Sequence, residues 1–92
     1  MAELDERSVR AVLVEGLDAG AVYQICVAAT RAAFLAGDID LTFAELDMDS
    51  LARMELCMAI EVGTKVSLAP DDLGSYASLG ALAQAVAGRT HA

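Results

Sequence analysis

Apolar residues in this chain return at the spacing of a helix rather than that of a strand. Val22, Ile25, Cys26, Ala29 and Ala33 share one helical face, and no comparable run alternates with period two. Tyr23, Val27, Thr30 and Phe34 widen that face. Asp18 is placed to cap this run, which predicts a helix over about 18–35 with Gly37 as its stop. A second helix is predicted from about Ser50 to Val62, ended by Gly63. Within it Leu56, Ala59 and Ile60 form one apolar stripe, and Leu51, Met54 and Met58 form another, offset around the cylinder. Ser78 precedes a third helix whose Leu79, Leu82 and Val86 fall on one side, with Gly88 as its end. Between the last two, Pro70-Asp-Asp-Leu73 reads as a short helical turn with proline in its first turn. In residues 1–16, Val9, Val12 and Leu13 have helical spacing behind Asp5 or Ser8 as a start signal, although Val12–Val14 also fits an extended run.

These readings predict an all-α fold: a small antiparallel bundle of three main helices plus one short helix, with a possible extra N-terminal helix. Residues 1–16 are expected as an extension or accessory helix, 17–88 as the principal domain and 89–92 as a tail. The polar segment Asp38–Asp47 carries apolar residues at Ile39, Leu41, Phe43 and Leu46. It is therefore expected to lie across the bundle rather than extend into solvent.

Composition agrees and narrows the function classes. Of the 92 residues, 57% are hydrophobic but only 4% aromatic, with alanine and leucine prominent; both are good helix formers, and small side chains let helices approach closely. The net charge of −8 argues against nucleic acid and against an anionic membrane as partners, since no basic patch is present to neutralise phosphate. It favours steering of positively charged protein surfaces. Cys26 and Cys57 lie in apolar stretches without metal-ligand spacing, so both are expected as buried free thiols in a reducing cytoplasm. The single histidine, His91, stands next to the end of the chain, a poor place for a catalytic base. No signal peptide is visible and the longest apolar stretch, Ala21–Ala36, is interrupted by Gln24 and Arg31. A cytoplasmic, monomeric protein without catalytic residues or a metal site of its own is expected.

The segment Leu46-Asp-Met-Asp-Ser-Leu51 places a serine after an aspartate at the start of a predicted amphipathic helix. Taken alone, Asp-Ser in that position reads as a helix cap. The wider pattern, Leu46-Asp-Met-Asp-Ser-Leu-Ala-Arg-Met-Glu-Leu56, resembles the attachment motif of acyl carrier proteins, with Asp49, Ser50, Leu51 and Glu55 matching. Thr42-Phe-Ala-Glu-Leu46, Pro70-Asp-Asp-Leu73 and Ser78-Leu-Gly-Ala-Leu82 are similar to that family's approach loop, short third helix and final helix, in order and in register. The resemblance implies a 4'-phosphopantetheine arm taken from coenzyme A and attached at Ser50, with Asp49 and Leu51 flanking it. It also implies that the reactive thiol belongs to the arm, so the chain delivers acyl groups rather than transforming them.

No His or Lys lies within the motif to activate the Ser50 hydroxyl, so the base is expected from a phosphopantetheinyl transferase. Leu51, Arg53, Met54, Glu55, Met58 and Glu61 are the expected partner surface. An acyltransferase, acyl ligase or ketosynthase acting in trans would be met there. Asp47 stands where the family often has glycine, Arg53 adds a positive charge to a helix that is usually acidic, and Val62-Gly63-Thr64 replaces an acidic end. The last two departures, together with the unusual N-terminus, lean toward a polyketide or related specialised pathway rather than primary fatty-acid synthesis. The alternatives are a peptidyl or aminoacyl carrier of a nonribosomal pathway, a primary fatty-acid carrier, and an arm-free helical interaction domain.

Overall fold

Asp5 starts the first helix. Its carboxylate accepts the Ser8 N–H at 2.8 Å, satisfying one of the donors that a helix start leaves over. The computed structural model describes residues 5–90, and among these every regular element is helical. The elements are α1 (Glu6–Ala19), α2 (Tyr23–Cys26), α3 (Ala28–Ala36), α4 (Phe43–Leu46), α5 (Ser50–Thr64), a 3-10 turn (Pro70–Ser75) and α6 (Leu79–Thr90). This is the small all-α bundle that the periodicity predicts.

The expected accessory helix turns out to sit at the centre of the packing. Val9, Leu13 and Leu17 of α1 are fully buried and join Leu56 and Ile60 of α5 and Leu79, Leu82 and Val86 of α6 in one core. Fully burying a side chain of this size contributes roughly 1.5–3 kcal/mol. Gly16 sets how closely α1 approaches α5, since a Cβ there would stand 2.9 Å from the Leu56 Cα.

The run predicted as one helix over 18–35 is divided. Asp18 lies in the last turn of α1 rather than capping a new helix, and the backbone is extended at Val22 and again at Val27. The reason is burial. On a continuous helix Ile25 and Phe34 would lie about half a turn apart, so one of them would face away from the core. The break at Val27 lets both be fully buried. Its consequence is that Cys26, expected in the core, is exposed, whereas Cys57 is buried as expected. Burial, aided by the charge of Asp72, pushes the Cys57 thiol above its ordinary range.

The glycine stops fare unequally. Gly37 ends α3 in the left-handed conformation at φ 83°. Gly63 lies inside α5, where a Cβ would meet Val12 at 2.8 Å; Lys65 caps that helix instead, at φ 65°. Gly88 lies inside α6, which also takes in Arg89 of the expected tail, while His91 falls outside the described residues.

A buried arginine ties these pieces together. Arg10 Nη1 donates to the carbonyls of Phe34 at 2.9 Å and Ile39 at 3.3 Å, its Nε reaches Glu6 at 3.2 Å, and its guanidinium lies 4.5 Å above the Phe34 ring centre. Pro70 opens the 3-10 turn, and Leu73 anchors that turn in the core.

Candidate functional site

The segment leading to Ser50 is built almost entirely from its own side chains. Thr42 and Glu45 form a reciprocal capping box around α4: Thr42 Oγ1 accepts the Glu45 N–H at 3.2 Å, and Glu45 Oε1 accepts the Thr42 N–H at 2.9 Å. Asp47 then reverses the chain at φ 46°. Aspartate reaches this left-handed region more readily than most residues, so it serves where glycine is usual in the resembling motif. Leu46 and Met48 are both buried and pin the segment on either side of the reversal. Asp49 has extended backbone, and its Oδ1 accepts the Ala52 N–H at 2.8 Å. The cap of α5 is therefore Asp49. Ser50 is the first residue of the helix and is exposed.

That arrangement leaves the Ser50 hydroxyl with no hydrogen-bond partner among the described residues and places it at the positive end of a 15-residue helix. Backbone N–H groups and the helix dipole favour an anion there by roughly 0.3–1 kcal/mol.

The preceding Asp38–Leu41 strap is clamped to the start of α6. Ser78 Oγ donates to Asp40 Oδ2 at 2.5 Å, the Gly80 N–H to Asp40 Oδ1 at 2.7 Å, and the Leu79 N–H to the Leu41 carbonyl at 2.8 Å. Ser78 also caps α6, accepting the Ala81 N–H. Partial burial pushes the Asp40 carboxyl up. The hydrogen bonds from Ser78, Gly80 and Leu41, with the charge of Arg10, outweigh this and hold it below the ordinary carboxylate range.

Beyond Ser50, α5 presents two faces. Ala52, Leu56, Cys57 and Ile60 are buried. Leu51, Met54 and Met58 are exposed, so this second stripe is not core. Val62, 76% exposed, continues it by one turn. The sequence signal for Val62 was available, since it follows Met58 at i+4. Met54, Met58 and Glu61 border a groove of about 220 Å³ together with Leu68 and Pro70. Glu55 is half-buried on the far side of the stripe. Arg53 is exposed but lines a separate cavity of about 140 Å³ with Phe43, Asp71 and Leu73. Arg53 thus stands apart from the other expected surface residues, on a different side of α5.

A family model for the phosphopantetheine attachment site matches residues 21–86. The chain belongs to that family. This supports its reading as a member of the acyl carrier proteins, whose prosthetic group is covalently attached 4'-phosphopantetheine. No curated protein and no solved structure matches the chain. The residues fit the group: an exposed hydroxyl stands at a helix start whose cap is supplied by a neighbour. The matched range begins after α1, although α1 fills the core beside α5. Among the described residues no cluster of three His, Cys, Asp or Glu side chains could hold a metal ion, and no helix is long and apolar enough to cross a membrane.

Proposed function

We propose that Ser50 is the attachment residue and that this carrier protein delivers acyl groups to enzymes acting in trans, in polyketide or related biosynthesis. The observation that carries the attachment reading is the division of labour between Asp49 and Ser50. Asp49 holds the helix start, so the Ser50 hydroxyl has no structural duty and faces solvent. Ser50 supplies the oxygen of the phosphodiester, and the adjoining N–H groups stabilise its charge. When bound, the arm supplies a thiol that holds acyl groups as thioesters. The chain itself contributes tethering, orientation and recognition; neither His nor Lys stands in the motif, so deprotonation of Ser50 falls to the transferase.

The test is the intact mass after incubation with coenzyme A and a phosphopantetheinyl transferase. The parent gains one phosphopantetheine increment, and Ser50→Ala gains none while keeping its stability to within a few tenths of a kcal/mol, because the cap belongs to Asp49. An increment on Ser50→Ala would move the site elsewhere.

The partner surface in this reading comprises Leu51, Met54, Glu55, Met58 and Glu61, with Arg53 acting from its separate cavity to discriminate among partners. Exposed methionines adapt to several surfaces, and acidic residues at the edge meet basic groups on an enzyme. Glu61→Lys should slow acyl transfer several-fold at low salt, with a defect that shrinks as ionic strength rises; a transfer rate that salt and substitution leave unchanged would place the surface elsewhere. The lean toward a specialised pathway is supported by Arg53 and by the non-acidic Val62-Gly63-Thr64 end of α5.

A further inference from the structure

We propose that the groove between the α1–α2 elbow and the Leu46–Asp49 segment is the resting site of the prosthetic arm, with Tyr23 as the side chain that covers it. This rests on attachment at Ser50. The groove has a volume of about 340 Å³, and its lining includes Tyr23, Gln24, Leu46, Met48, Asp49 and Ala52. Asp49 and Ala52 bracket Ser50 within one helical turn, so the tether and the wall of the groove belong to the same piece of backbone.

The lining suits a pantetheine chain. Gln24 Nε2 donates to the Glu45 carbonyl and Asp49 Oδ1 accepts the Ala52 N–H, which leaves Gln24 Oε1 and Asp49 Oδ2 to accept from its two amides and its hydroxyl. Met48, Leu46 and the Tyr23 ring offer apolar surface to its methyl and methylene groups. The groove beside Met54 and Met58 is smaller, and of its lining side chains only Glu61 is strongly polar. It suits an apolar chain better than an amide-bearing one.

One further feature of the elbow points the same way. Tyr23 is 75% exposed, whereas Phe34 is buried and Phe43 and Tyr76 are partly buried. A ring of this size left in water at the rim of a groove forgoes a large burial that a ligand would restore. Ala21, also in the wall, holds φ 57° as the left-handed residue that closes α1, the Ala21 and Val22 N–H groups returning to the Asp18 and Leu17 carbonyls.

The experiment uses the full chain carrying Cys26→Ser, which removes the exposed cysteine and leaves Cys57 buried. Apo and holo forms, distinguished by intact mass, are compared by amide proton–nitrogen NMR. Conversion to the holo form should shift Ala21, Tyr23, Gln24 and Met48 as well as the residues next to Ser50. In the same background, iodoacetamide should alkylate the arm thiol several-fold faster when Tyr23→Ala is added, Tyr23 being exposed and outside the core. A loaded protein whose shifts are confined to Asp49–Arg53, or lie instead around Met54, Met58 and Leu68, overturns the groove and leaves the attachment reading standing. Equal alkylation rates with and without Tyr23 remove its covering role. A protein that gains no mass overturns the attachment reading, and the groove proposal falls with it.

Discussion

Between Thr42 and Ala52, each helix start is held by a side chain a few residues away: Thr42 and Glu45 around α4, Asp49 at the start of α5. Between Ala19 and Gly37 neither helix start has a side-chain cap, and the residues at those positions are Val22 and Val27. The elbow is held from a distance instead. Arg31 reaches the Ile25 carbonyl at 3.0 Å and Asp18 at 2.8 Å, and Arg10 reaches across to the Phe34 carbonyl. The two regions face each other across one groove, yet one is specified locally and the other by the packed whole. A segment held by local caps keeps its shape through small movements of the bundle, which suits the proposed role of Ser50. The elbow has no such independence, and its shape follows its anchors.

The sharpest way to break this contrast is to remove an anchor of the elbow. Phe34→Ala should cost about 3–5 kcal/mol in urea denaturation, since it empties a fully buried site and strips the ring from beneath Arg10. Backbone amide exchange should rise first in α2 and α3. On the local side, Asp49→Ala should cost only about 1 kcal/mol, the worth of one cap, with faster exchange confined to the first turn of α5. If the two substitutions cost the same, the attachment segment depends on tertiary support as much as the elbow does.

The smallest effect is one of pH and concerns the Asp40 clamp, which joins the strap to α6. Its folded carboxyl titrates below the ordinary range, so on acidification the unfolded chain takes up the proton first. The clamp's contribution is therefore complete above the ordinary carboxylate range and is lost as pH falls through it. Asp40→Asn should flatten the acid limb of a stability-against-pH curve by about 1 kcal/mol, a charge-assisted hydrogen bond at a largely exposed site being worth no more than that. An acid limb identical to the parent's would show that the clamp carries no net stability.

The same contrast explains how much was legible beforehand. The start of α5, the 3-10 turn at Pro70 and the Ser78 cap could be read because each follows from a few adjacent residues. The break at Val27 could not, because nothing near Val27 marks it; it follows from Ile25 and Phe34 both being drawn into a core that α1 completes. Gly63 was read as a stop because glycine often ends helices. Its actual use, making room for Val12, depends on a residue in another helix. Arg53 and Met54 are neighbours in sequence, and their placement on separate cavities depends on where the 3-10 turn packs.

By itself, then, the sequence determined that this chain is helical and that Ser50 stands at a helix start. It also determined that one stripe of α5, Leu51, Met54 and Met58, is distinct from the Leu56–Ile60 stripe. Helical periodicity, caps and left-handed reversals act over a few residues and need no partner. Only the tertiary structure decided that α1 belongs to the core, that the 18–35 run bends, and that Cys26 and Tyr23 face solvent while Phe34 does not. Burial is shared among elements far apart in the chain. Which of two equally apolar faces turns inward is settled only when every element competes for the same interior.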